Sequence, residues 1–412
     1  MSAMETPRAD LAIVGGTVIT PWRRRAETTV LVADGKITAV EPSAQLTLPA
    51  DLPRIDARGR YVAPGFIDIH VNGGGGGDAL DGTREALDAM CMAHAAGGTT
   101  SLVPTTVTAP LEVMERAVRV IGETARDHAA GRRGGGAQVL GAYIEGPFLS
   151  PLQKGAHNPE HLRVPADTDY GPLLELAGDI RIMAIAPELP GAHTLIRRFA
   201  RRGVRTAVAH SQATHEEVMA AVELGTTHIA HLFSTMSSTF RRPGDYRKYA
   251  GVTEAALLCD DLTVEIVGDG YHVPEPLLRL ALKNKPAGTV CVVTDAMRAA
   301  GMGPGDYTLG DMDIVVEEGI ALLPDRSLFA GSVATMDACV RTMANLGGVP
   351  LETAIRAATV DPARVIGVDE RKGSIREGAD ADIVILDHGM RVTDTIIGGR
   401  RSDRGADATS FV

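Results

Sequence analysis

Long apolar runs are missing from this chain. No segment approaches the roughly 20 consecutive apolar residues of a membrane-spanning helix, and Met1 to Gly16 shows no basic stretch leading into a sustained apolar one. No membrane partner is expected, and a cytoplasmic location is. Cysteine is scarce as well: Cys91, Cys259, Cys291 and Cys339 stand far apart with no CxxC pair, which argues against a disulfide framework and a zinc knuckle and leaves core thiols. Basic residues are outnumbered, giving a formal charge of −11. Nucleic acid, which is bound through concentrated Lys and Arg, is therefore not an expected partner. The five-glycine run Gly73 to Gly77 lacks the Lys-Ser/Thr ending of a phosphate-binding loop, so it reads as a flexible rim loop.

What remains is an enzyme-sized globular chain whose 412 residues, 44% apolar, can bury the core of one large domain and a smaller partner. The first sixty residues alternate short apolar runs with turn signals, as in Leu11 to Val14, Thr29 to Val32 and Ile37 to Val40. A similar texture closes the chain at Gly373 to Glu377, Ala381 to Leu386 and Val392 to Ile397, so the two ends are expected to share a sheet. Between them lie eight apolar, β-branched runs, near 62–69, 99–103, 138–144, 181–186, 204–209, 226–230, 263–267 and 289–294. Helical patterns such as Thr214 to Leu224 and Pro274 to Leu282 separate most of them. This alternation predicts an α/β fold, a closed (β/α)8 barrel.

The C-terminal ends of the eight runs carry His70, Thr105, Glu145, Glu188, His210, His231, Asp269 and Asp295. Strand ends of such a barrel converge on one rim, where catalytic groups sit. Glu145, His210, His231 and Asp295 are thereby predicted to cluster, and two imidazoles with a carboxylate suit a catalytic divalent ion that keeps one position open. His94, His128, His193 and His388, in helical or tail segments, carry a structural expectation, as do His215 and His228. Arg241, Arg242, Arg247 and Lys248 read as a charged surface loop.

Several stretches carry a more specific pattern: Pro64 to His70, Tyr143 to Phe148, Lys154 to Pro159, Ala209 to Ser211, Ala230 to Leu232, Gly270 to Val273 and Val293 to Ala296. In these the chain resembles the N-acetylglucosamine-6-phosphate deacetylase family of the amidohydrolase superfamily. The resemblance implies a TIM barrel, residues 64–371, beside a small β-sandwich built from 1–63 and 372–412. It implies metal ligands Glu145, His210 and His231, His157 stabilising the oxyanion and Asp295 as proton shuttle. His272 and Arg242 would bind the substrate phosphate, Arg242 from the neighbouring subunit of a homodimer. The implied cofactor is a divalent ion, zinc first and iron or another ion as alternatives, and the implied partner is a small amino-sugar phosphate.

Two positions depart from the family pattern. Asn72 stands where many members have the second histidine of His-x-His, so one tightly held ion is expected and His70 is left as a possible second-site ligand. Ser234 and Thr235 replace an Asn-Ala pair that meets the sugar phosphate. N-acetylglucosamine 6-phosphate is the expected substrate, with N-acetylgalactosamine 6-phosphate, another amide and a non-catalytic sugar-phosphate sensor as alternatives.

Overall fold

A computed structural model of the chain describes residues 8–132 and 134–402. Eight parallel strands form its centre: β1 (Phe66–Val71), β2 (Thr99–Thr106), β3 (Ala142–Ile144), β4 (Ile180–Ala184), β5 (Arg205–Val208), β6 (Thr226–Ile229), β7 (Thr263–Val267) and β8 (Val290–Val293). Each pairs with the next in chain order. A parallel Val71–Ala296 bridge closes the ring, supported by Asn72 N–H to Ala296 O at 2.7 Å and Asp295 N–H to His70 O at 2.9 Å. The expected closed barrel is therefore present. Its strands are buried almost throughout, because helices cover the outside while side chains fill the interior.

The helices follow from local signals. Thr214 caps His215–Glu223 through a reciprocal capping box with Glu217, and Pro274 precedes Glu275–Asn284, whose apolar face buries Leu278 and Ala281. Among the described residues no helix is long and apolar enough to cross a membrane.

Both ends of the chain join one eight-stranded sheet. Ile383–Leu386 pairs antiparallel with Tyr61–Pro64, which pairs with Leu11–Ile19. The edge strand Lys36–Pro42 bonds to the segment leading into Ile383–Leu386, through Ile37 N–H to Ala379 O and Ala381 N–H to Gly35 O, both 2.9 Å. The sheet thus curls back on itself around Ile13, Val30, Val62, Ile383 and Ile396.

Two expectations need correction, and one element is new. Gly373 to Glu377 is not a strand, because this stretch folds around the buried Lys372 ammonium, which pairs with Asp382 and, at 3.2 Å, with Asp380. Gly73 to Gly77 is not a loose loop: it forms a tiny hairpin packed on helix Arg84–Ala96, so closely that a Cβ on Gly77 would lie 2.4 Å from Ala86 O. A three-stranded sheet, Gly305–Leu309, Met312–Glu317 and Ile320–Leu322, follows β8 and was not foreseen.

Candidate active site

The barrel mouth holds a cavity of about 230 Å³ lined by Glu145, His157, His210, His231, His272 and Asp295, with Asn72, Ser234 and Thr235 beside them. Each polar residue at its base stands just past a strand. His210, His231 and Asp295 adopt left-handed backbone angles, φ 44°, 25° and 50°. Such angles cost on the order of 1–3 kcal/mol each in a residue with a Cβ and persist only where surroundings enforce them. Here they turn three side chains inward, held by Ser150 N–H on His210 O at 2.9 Å and Ser332 N–H on Asp295 O at 2.7 Å.

Around Glu145 the imidazoles crowd. His231 Nε2 lies 2.8 Å and His210 Nε2 3.3 Å from Glu145 Oε1, with His157 Nε2 3.4 Å and His70 Nε2 3.7 Å from Oε2. Proximity alone groups Glu145, His157 and His210, whose ligand atoms lie within 4.8 Å of one another. Proton bookkeeping regroups them. His210 Nδ1 donates to Gln153 O at 2.8 Å and His231 Nδ1 to Ser234 O at 3.2 Å. A carbonyl only accepts, so His210 Nε2, and His231 Nε2 once it gives up the proton that Glu145 draws onto it, carry lone pairs toward the cavity. His157 is the reverse: Thr108 N–H donates to its Nδ1 at 3.0 Å, so its Nε2 carries the hydrogen. His210 and His231 are thus presented as ligands, His157 as a hydrogen-bond donor.

The charges ask for a cation. Burial opposes ionisation of Glu145, yet His70 and His210 hold its carboxyl well below the ordinary range. Burial, then His157, pushes His210 down to about 4, keeping it neutral. Burial also opposes a charge on His70, but Glu265 and Glu145 draw it strongly toward its protonated form. Its Nε2 has no hydrogen-bond partner among the described residues and lies 3.6 Å from Asp295 Oδ1. Two carboxylates and the lone pairs of His210 and His231 fit a bound divalent ion, which would take the place of the proton on His70. Asp295 is raised by burial, with His70 opposing and Glu145 reinforcing. Asn72 Nδ2–H donates to Asp295 Oδ1 at 2.9 Å, so Asn72 orients the carboxylate.

Toward the opening, His272 Nδ1 donates to Asp269 at 2.7 Å, and its ring lies 4.6 Å from that of Phe329. Leu309, Leu328 and Phe329, brought by the three-stranded insertion and the stretch after it, give the cavity an apolar wall. Thr235 Oγ1 and Asn72 Oδ1 are buried without partners among the described residues. Arg242 lies apart on an exposed loop, bonded to Glu217 at 2.7 Å with its guanidinium over Tyr249, and does not line the cavity of its own chain. His70 lies beneath the cavity, fully buried. The sequence reading missed Glu265 and its contact with His228. The signal was a glutamate inside the apolar run Thr263–Val267, since an unpaired charge is too costly to bury.

A barrel whose rim gathers histidines and carboxylates defines a class of hydrolases, and comparison with known proteins agrees: the chain belongs to the amidohydrolase family, which it matches over residues 61–401. Its relatives include N-acetylgalactosamine-6-phosphate and N-acetylglucosamine-6-phosphate deacetylases. It is 36% identical over 370 residues to N-acetylgalactosamine-6-phosphate deacetylase of Escherichia coli O157:H7, covering 90% of this chain and 93% of the relative. It is 37% identical over 358 residues to human N-acetylglucosamine-6-phosphate deacetylase, covering 84% of each. The solved N-acetylglucosamine-6-phosphate deacetylase of Pasteurella multocida superposes with a TM-score of 0.86 at 30% identity, covering 95% of this chain and 99% of that one. A Mycobacterium smegmatis variant in complex with N-acetyl-D-glucosamine-6-phosphate gives 0.84 at 33% identity, covering 96% and 100%.

Proposed function

We propose that this protein hydrolyses the acetamide of N-acetylglucosamine 6-phosphate to glucosamine 6-phosphate and acetate. The observation that carries the proposal is the donor pattern at the barrel mouth, with two ring lone pairs and Glu145 on one side and the Nε2–H of His157 and the Asp295 carboxylate on the other. Relatives of both sugar types support the substrate class. The galactosamine relative keeps N-acetylgalactosamine 6-phosphate as the second reading.

Glu145, His210 and His231 would hold one divalent ion, zinc as first choice for two imidazoles and a carboxylate, supplying the Lewis acidity that makes water reactive near neutral pH. Asp295 takes the proton of the attacking water as its oxygen bonds to the carbonyl carbon. The same carboxyl then gives that proton to the nitrogen as the C–N bond breaks, releasing acetate and the amine. Asn72 keeps Asp295 turned toward the reacting atoms through its 2.9 Å bond. His157 offers Nε2–H to the carbonyl oxygen as negative charge grows there, and a donor of this kind typically contributes about 2.7–4 kcal/mol to the transition state. Ser234, Thr235 and His272 also line the cavity, where they would meet the sugar phosphate.

The proposal includes a homodimer in which the neighbouring subunit's Arg242 joins His272 at the phosphate, supported by the exposed position of Arg242 away from its own cavity. It includes the division into 1–63 with 372–412 and 64–371, supported by the pairing of Ile383–Leu386 with Tyr61–Pro64, although 1–7 and 403–412 lie outside the described residues. A sugar phosphate substrate makes the cytoplasm the compartment. The test is elemental analysis joined to an acetate-release assay over N-acetylated hexosamine phosphates and N-acetylated amino acids. About one tightly bound ion per chain and release from the glucosamine phosphate are expected. Tight ligand binding without acetate would instead make the protein a sensor.

A further inference from the structure

Glu265 lies in the middle of β7 and is completely buried. It reaches His70 of β1 past the intervening β8, which only a path through the barrel interior allows. A carboxylate there needs donors on every side, and three are in place. His70 Nδ1 and His228 Nε2 each lie 2.8 Å away, on Oε2 and Oε1, and the backbone N–H of His231 is 3.1 Å from Oε2. His228 is itself braced, its Nδ1 being 2.6 Å from Thr263 Oγ1. On the far side of His70, Nε2 is buried without a partner among the described residues and faces Glu145 and Asp295.

An ionised carboxylate only accepts hydrogen bonds, so the N–H of a neutral His70 sits on Nδ1, and Nε2 turns a lone pair toward the site described above. A histidine whose remote N–H is held by a carboxylate is the usual form of an oriented, more basic metal ligand. We propose that Glu265, braced by His228, is a positioning residue of the metal centre, holding His70 in the tautomer whose Nε2 faces the ion bound near Glu145. The proposal rests on the metal site of the proposed function, and it adds a buried Glu265–His228 support whose main effect on the ion runs through His70.

The test uses the full-length protein, stripped with a chelator and titrated with Co2+, with affinity read from the visible absorption of the bound ion and folding from circular dichroism. Glu265→Gln keeps the shape but offers a weaker acceptor, and Glu265→Leu offers none. Together they are expected to weaken Co2+ binding by roughly 10-fold and toward 100-fold, the range for such outer partners. With His70→Gln already present, neither should weaken binding further by more than about threefold, since coupled residues do not add. If the Glu265 variants fail to fold, His228 carries the test. His228→Gln, which still offers an N–H to Glu265, should bind nearly as tightly as the unsubstituted protein, and His228→Leu more weakly.

Unchanged affinity in a folded Glu265 variant overturns the proposal. So do losses that multiply with those of His70→Gln, because Glu265 would then act elsewhere. Where Glu265 variants do not fold, equal affinities of the two His228 variants overturn it too. Unsubstituted protein that binds Co2+ but releases no acetate defeats the deacetylase reading and leaves this one standing. If that protein binds no Co2+, both fall.

Discussion

Each ring at the barrel mouth has its chemistry set by what holds its far nitrogen. Gln153 O and Ser234 O accept from His210 and His231, freeing lone pairs, whereas Thr108 N–H donates to His157 and leaves it a donor. Asp295 is the one carboxylate here with Asn72 as its hydrogen-bond donor. Asp295→Asn should preserve fold and ion content while lowering kcat by roughly 10²- to 10⁴-fold, the usual contribution of a general acid-base group. Steady-state turnover on the sugar phosphate checks this, and near-normal kcat would remove Asp295 from the mechanism. The same residue sets a pH expectation. Burial raises its pKa above 3.8, so it remains protonated to higher pH than an ordinary aspartate. A proton acceptor is lost as pH falls through that value. The acid limb of kcat/KM should follow this carboxyl, lying lower in the ion-loaded enzyme than burial alone would set it because a nearby cation favours the carboxylate, and Asp295→Asn should abolish it; a limb unchanged in that variant would assign it to another group.

Short elements around the mouth work by close approach. The hairpin of Gly73–Gly74 and Gly77–Asp78 lies against helix Arg84–Ala96, where His94 Nε2 bonds Gly73 O at 2.8 Å. Gly77→Ala would place a carbon 2.4 Å from Ala86 O and 2.9 Å from Ala86 Cα, backbone atoms that cannot swing aside. The expected loss is about 1–3 kcal/mol, typical of overpacking, read as a lower denaturation midpoint in urea. A free rim loop would show no change. The three-stranded insertion after β8 is tied to the loop bearing His157, because Asp311 accepts from Asn158 at 2.8 Å and His161 at 2.9 Å. Two segments far apart in sequence thereby close over one cavity.

For the molecule as a whole, the barrel mouth gathers the histidines and carboxylates, while Arg242 bonds Glu217 and does not line the cavity of its own chain. If a second subunit completes the phosphate site, Arg242→Ala should reduce kcat/KM for the phosphorylated substrate by about 10-fold or more, since a charge-assisted bond contributes roughly 1.5–3 kcal/mol. The unphosphorylated N-acetyl sugar should be nearly unaffected. Measuring both substrates separates the cases: equal losses indicate structural damage, and no loss on either removes Arg242 from the site.

The sequence by itself determined the barrel, through eight apolar runs at βα spacing, and named Glu145, His210, His231 and Asp295 at its mouth, because a strand end is a local position that the chain pattern marks, whereas His157 and His272 were named only through the family motifs. Glu145, His157, His210, His231, His272 and Asp295 do line one cavity. The pairing of the two chain ends was legible from their matching alternation, and the joint at Lys372 was not, since its partners Asp380 and Asp382 depend on how the segment folds. Tertiary structure alone decided the tautomers, because each ring nitrogen is set by an acceptor or donor on another element. It alone turned His228 from a mid-strand residue of structural expectation into the brace of Glu265. That link spans 37 residues of sequence, and the one from Glu265 to His70 spans 195. Neither leaves a periodic trace, because a hydrogen bond across a barrel depends on strand register and shear rather than on spacing along the chain.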